Sequence, residues 1–186
     1  MAGSPASMTP PAATLQEMLD SFSLQQLACT YCHAVDRRDY RLLRSLYHDD
    51  AIDDHGPVFC GGPDAYVAWL PSMLARWSAT THLIHNSLFL FDGDRADGQL
   101  SATAYHRTLD GRQEIIAHGR YLDRYERRGG VWRFFRRSLV LDWAEARGAP
   151  QGGDAATAED GIALGRASAE DPVYQRLPLF AAQRTP

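Results

Sequence analysis

Four long strand-like stretches follow one another in the second half of the chain with no helix between them. This succession restricts the fold more than any other feature. Residues 80–91, 99–109, 113–127 and 131–143 are rich in β-branched, aromatic and aliphatic side chains. Asp92-Gly93-Asp94, Asp110-Gly111 and Gly129-Gly130 separate them. Such Asp/Gly steps supply the positive-φ positions of tight turns, so the four stretches predict an antiparallel meander.

The first half reads mainly as helix. Leu15, Met18, Leu19 and Phe22 recur at a helical period, which restarts at Leu24, Leu27, Ala28, Tyr31 and Val35. Ser23 and Gln26 form a capping-box pattern at the break, which predicts a new helix over about 24–37. A short helix is expected over 41–47, a strand over 51–59 kinked at Gly56-Pro57, and a helix over 63–77 kinked or split at Pro71. Helices followed by a meander give an α+β layout, in which the sheet curls around the helices and leaves an apolar pocket at its open end.

Composition narrows the class. At about 150 residues per domain, 186 residues predict one domain with extensions. Residues 1–12 read as a mobile leader, 13–144 as the α+β domain, and 145–186 as an irregular tail with an apolar docking segment at 173–180. That segment could pack on its own barrel, cap a pocket or grip a neighbouring subunit. A hydrophobic content of 45% excludes a disordered chain, and a net charge of −4 argues against a nucleic-acid partner. No apolar run approaches a membrane span, and the first residues lack a signal peptide's basic and apolar regions. A cytoplasmic location without a membrane partner is expected. Cys29, Cys32 and Cys60 do not form a disulfide framework, and Cys29-x-x-Cys32 reads as two helix residues.

The candidate chemistry lies on one helix end and two strands. Asp36 sits at the edge of the apolar face that carries Ala28, Tyr31 and Val35, near the helix C-terminus. The helix dipole disfavours a carboxylate there unless a cation or histidine stands beside it. A solvated aspartate beside Arg37 and Arg38 is the alternative. On strands, side chains alternate, so His82 shares a face with Ile84, Asn86, Leu88 and Leu90, and His106 with Leu100, Ala102 and Ala104. The small alanines leave room for a ligand. His82 and His85 point to opposite sides, which excludes them as a zinc pair on a regular strand. The acidic run at Asp49, Asp50, Asp53 and Asp54, with His55, lacks the spacing of a calcium loop and reads as a solvated turn. Trp69, Trp77, Phe89, Tyr105 and Trp132 are cavity or core aromatics.

In order along the chain stand Tyr31-x4-Asp36, Leu-Tyr-His-Asp-Asp-Ala-Ile, Thr-His-Leu-Ile-His-Asn, Gly-Arg-Tyr-Leu-Asp-Arg-Tyr-Glu-Arg and Gly-x-Trp-Arg-Phe-x-x-Arg. This string resembles the SnoaL-like branch of the nuclear-transport-factor-2-like superfamily over about residues 13–144. The resemblance implies a cone-shaped α+β barrel, a curved antiparallel sheet wrapped around N-terminal helices. It also implies a cofactor-independent lyase, most simply a dehydratase, acting on a hydrophobic hydroxylated aromatic or polycyclic small molecule. Asp36, His82, Tyr31 and His106 fall on catalytic positions, with no metal. Asp36 would orient His82, His82 would remove a proton, and Tyr31 and His106 would donate hydrogen bonds to the departing hydroxyl or an oxyanion. Trp69, Phe89, Tyr105 and Asn86 are the expected substrate contacts. Where one lyase of the superfamily carries a further tyrosine, Asp53, Asp54 and His55 stand here, and an aliphatic residue near Leu141 replaces another's arginine. Alternatives within the superfamily are a carbon–carbon lyase releasing formaldehyde from a lignin-derived aryl diol, a double-bond isomerase, a polyketide cyclase, and a small-molecule binding or accessory subunit. A homo-oligomer is implied, a trimer ahead of a dimer.

Overall fold

In this computed structural model the described residues are 13–149 and 163–184; the expected leader at 1–12 and part of the tail lie outside them. Helix α1 (Leu15–Asp36) leads into α2 (Tyr40–Ser45), β1 (Tyr47–Asp54), the two-residue β2 (Cys60–Gly61) and α3 (Pro63–Leu74). Strands β3 (Trp77–Asp92), β4 (Arg95–Thr108), β5 (Gln113–Arg128) and β6 (Val131–Gly148) follow. Two short helices, α4 (Pro172–Arg176) and α5 (Pro178–Gln183), complete the described chain. No helix among the described residues is long and apolar enough to cross a membrane.

The four long strands form the expected meander, and Gly129 and Gly130 turn the last hairpin at φ +60° and +80°. The six-stranded sheet has the order β2-β1-β6-β5-β4-β3. It is mixed rather than wholly antiparallel, because β1 pairs parallel to β6. Register shifts between Ile84 and Ser87, at His118/Gly119 and at Arg124/Tyr125 bend it around α1 and α3. Strand β6 runs to Gly148, past the domain end expected at 144.

Helix α1 is one helix, not two. The capping box that starts it is Thr14 with Glu17: the Glu17 N–H donates to Thr14 Oγ1 at 3.2 Å, and the Thr14 N–H to Glu17 Oε2 at 2.7 Å. Ser23 does not cap; its hydroxyl donates to the Leu19 carbonyl one turn back, at 2.9 Å. The buried stripe runs through Asp20, Leu24, Ala28, Tyr31 and Val35, while Leu15, Met18, Leu19 and Phe22 stay exposed. Buried Asp20 takes hydrogen bonds from Arg127 and from the Trp132 indole, which places Trp132 in the core. Helix α3 continues through Pro71 without splitting and ends at Leu74.

The core is rich in tyrosine and holds an ion pair. Arg137 and Asp123 are fully buried and joined by two hydrogen bonds of 2.8 and 2.7 Å. The guanidinium lies about 4 Å from the ring centres of Tyr31, Tyr121 and Phe134. Burial opposes its charge, and the Asp123 carboxylate outweighs burial, holding it charged well above the ordinary arginine range.

Candidate active site

The C-terminal end of α1 meets the start of β3. Asp36 is the last residue of α1 and is 7% exposed. Its Oδ1 receives His82 Nδ1–H at 2.8 Å and the Thr80 hydroxyl at 3.0 Å; its Oδ2 receives the His82 backbone N–H at 2.9 Å. Three donors from one strand offset the unfavourable end of the helix dipole. Thr80 is itself held by Arg38 Nη1 at 3.0 Å, and Arg38 adopts the left-handed conformation, φ +56°, that turns the chain out of α1. A carboxylate only accepts, so the bond to Nδ1 assigns the proton there and leaves Nε2 of the neutral ring as a base.

His82 lines an apolar cavity of about 280 Å³. Ala102 and Ala104 of β4, Ala117, Gly119 and Tyr121 of β5, and Leu139 and Leu141 of β6 form its sheet wall. Trp69, Leu70 and Met73 of α3 face them. The small residues at 102, 104, 117 and 119 create the space.

His106 also lines the cavity, its ring edge-on to His82 at 5.4 Å between centres and tilted on Trp77 at 4.9 Å. Burial first, then the neighbouring His82, pushes the His106 imidazole down to about 4, so it is neutral near pH 7 and donates from a single nitrogen. Tyr31 shares a 2.6 Å hydrogen bond with the Tyr66 hydroxyl. Burial, reinforced by Tyr66, holds the Tyr31 phenol well above the ordinary tyrosine range, as a protonated donor. One proton of the Tyr31/Tyr66 pair lies in their mutual bond, and the other remains to be donated.

Tyr31, Asp36, His82, His106, Trp69 and Trp77 thus come to one place. Three expected contacts do not line the cavity. The irregularity between Ile84 and Ser87 reverses the alternation of β3, so Asn86, Leu88 and Leu90 are exposed and do not share the face of His82. Phe89 is returned to the inner side, but packs on Phe91 and Tyr125 instead. Tyr105 points opposite to His106, and its hydroxyl donates to Glu114 at 2.9 Å. His85 also faces away from His82, against Thr103. Thr80 and Tyr66 were not singled out from the sequence. Thr80 lies two residues before His82 on the same strand face, a signal that was there to use; Tyr66 gives none beyond its place on the apolar face of α3. The acidic run is not wholly solvated, because Asp53 is fully buried.

Known proteins resemble this chain in sequence and shape. Gamma-hexachlorocyclohexane dehydrochlorinase of Sphingobium indicum is 28% identical over 136 residues, covering 69% of this chain and 85% of the relative. A scytalone dehydratase-like protein of Novosphingobium aromaticivorans superposes with a TM-score of 0.65 at 24% identity, over 75% of this chain and 97% of that one. A hexachlorocyclohexane dehydrochlorinase of Novosphingobium barchaimii does so with a TM-score of 0.65 at 23% identity, over 77% and 97%. The SnoaL-like domain model matches residues 16–138, more than half of the chain, and together with the curved sheet closed over α1 this places the protein in the family of SnoaL-like domains.

Proposed function

We propose that this protein is a lyase that eliminates water from a small, hydrophobic, hydroxylated molecule, with His82 as general base. The observation that carries the reading is the Asp36–His82 pair, whose imidazole lines an apolar cavity. The Sphingobium indicum relative is named as a dehydrochlorinase, an enzyme of elimination, which supports the reaction class. Near 280 Å³, the cavity lies at the lower end of small-molecule sites and favours a one- or two-ring aromatic over a larger polycyclic compound.

In this mechanism Asp36 fixes the ring tautomer and offsets the imidazolium formed when His82 takes a proton from the substrate. Tyr31, relayed through Tyr66, and neutral His106 donate hydrogen bonds to a substrate oxygen that gains charge as the proton leaves carbon. A preorganised donor of this kind contributes about 3–4 kcal/mol. The test is a mass-spectrometric screen of hydroxylated aryl compounds for loss of water, read beside loss of formaldehyde. For the compound turned over, His82→Ala lowers kcat at least ~10²-fold, with the fold retained. Near-full activity in that variant overturns the reading.

A further inference from the structure

A second carboxylate–imidazole pair stands in the same cavity, and the reaction assigned to His82 leaves it unused. Asp53 and His55 supply it from β1 and the residue just beyond. The Asp53 side chain is fully buried; its Oδ2 accepts the Tyr47 hydroxyl at 2.6 Å, and its Oδ1 lies 3.0 Å from His55 Nε2. Among the described residues neither Oδ1 nor Nε2 has a hydrogen-bond partner, and the two are at ion-pair distance without hydrogen-bond alignment. A buried polar group left unpaired costs about 1–3 kcal/mol, so each atom holds the other in place. The His55 ring lies tilted on Tyr66, 5.6 Å between centres, and lines the cavity that His82 and His106 share.

Strand order sets the two pairs apart. Strands β1 and β3 lie toward opposite ends of the sheet, with β6, β5 and β4 between them. The intervening cavity wall is largely apolar, built from Ala102, Ala104, Ala117, Gly119, Leu139 and Leu141, and it also carries His106, His118 and Tyr121. His55 therefore stands toward one end of this wall, and His82, with His106 beside it, toward the other. This division has a chemical meaning. A base alone suffices where the leaving group is a stable anion such as chloride. Hydroxide leaves poorly and needs a proton as its bond to carbon breaks, which one base cannot both take and give in a single step.

We propose that His55, positioned by Asp53, is the residue that meets the departing hydroxyl of the substrate and protonates it. The inference rests on the elimination reading above and deepens it, assigning the chain to hydroxylated rather than halogenated substrates. His82 Nε2 takes the proton from carbon, and that C–H electron pair becomes the new double bond. The C–O bond breaks with its pair on oxygen, and oxygen takes a proton from the His55 imidazolium and leaves as water. His82 ends protonated and His55 neutral; proton exchange with solvent restores both. Asp53 acts through the ring that it holds.

The test compares the binding of 2-naphthol and naphthalene, two probes differing by one hydroxyl, read by fluorescence in the native protein, His55→Leu and His82→Ala. A hydrogen bond to a charged partner corresponds to roughly 10–100-fold in affinity. The expected result is that His55→Leu lowers the naphthol-to-naphthalene affinity ratio at least ~10-fold while naphthalene still binds, which shows that the cavity is intact. Asp53→Asn, which frees the ring without removing it, lowers the ratio in the same direction. A ratio unchanged in His55→Leu, or lowered only in His82→Ala, overturns the assignment and leaves the His82 reading standing. Failure of the native protein to bind either probe overturns the cavity reading and this inference with it.

Discussion

At the scale of single residues, two neighbouring imidazoles in one cavity are given different work by their surroundings. His82 has a carboxylate on Nδ1; His106 has aromatic walls and His82. The depressed value of about 4 for His106 has a consequence for the whole fold. The unfolded chain binds this proton near pH 6.5, and the folded chain only near 4. Between those values the unfolded state holds more protons, so stability falls as the pH is lowered from about 6.5 and levels off below about 4. The loss from this group reaches roughly 3 kcal/mol at the limit. Urea unfolding at pH 7, 5.5 and 4.5 measures it; His106→Gln flattens that acid limb, and a limb of unchanged slope removes His106 as its cause. The pairing of Asp36 with His82 is legible through the family resemblance; position alone leaves a solvated aspartate beside Arg37 and Arg38 open, with the helix dipole's need for a cation or histidine near that carboxylate as the physical hint. Tyr105 was misplaced although strand alternation beside His106 already sends it outward. Asp53 was misread because its acidic neighbours Asp49 and Asp50 are exposed, and its burial depends on Tyr47 and His55 folding over it.

At the scale of elements, regular strands were legible from alternation and turn residues, and the places where alternation breaks were not. An irregularity of one residue reverses every side chain beyond it. That is why Asn86 was expected in the cavity and is exposed. Likewise the Ser23-to-Gln26 pattern satisfies the rule for a helix start, yet the Ser23 hydroxyl has a carbonyl available one turn back and the helix continues. The shift at His118/Gly119 shows what such an irregularity requires. A Cβ added to Gly119 would collide with the Val140 carbonyl oxygen, a backbone atom of the paired strand. Gly119 also lines the cavity. Gly119→Ala therefore forces β5 and β6 apart where they bend, at a cost of about 1–3 kcal/mol. Its midpoint in urea falls accordingly, and the cavity loses affinity for naphthalene. A variant of native stability would show that the two strands slide past each other at this point without cost.

At the scale of the whole molecule, the tail bears on the site through α1. Expected as an irregular stretch with an apolar docking segment at 173–180, it forms, within its described residues, α4 and α5, which pack beside the C-terminal end of α1. There Tyr174 and Phe180 meet His33, Arg184 lies 3.7 Å from Asp39, and Arg37 donates to the Arg166 carbonyl. Sequence period could not show this docking, because the helices have five and six residues and their partners lie well over a hundred positions away. Asp171 is the joint. It receives the Val173 N–H at 2.9 Å, which caps α4, and the Arg166 N–H at 2.7 Å, and it lies 3.4 Å from Arg37 Nη1. Burial opposes its charge, and those two backbone donors outweigh burial, holding the carboxyl below its ordinary range. Removing a capping carboxylate costs about 1 kcal/mol, with more where its donors stay buried. In Asp171→Ala, hydrogen exchange accelerates through residues 163–184 and at the end of α1, where Arg37 and Asp39 lose their partners. Asp36 lies between those contacts, but its own three donors come from β3. The His82 pair therefore survives, and turnover falls less than ~10-fold, far short of the loss in His82→Ala. Collapse of activity with the tail released would show that the docked helices, rather than β3, hold the carboxylate in place.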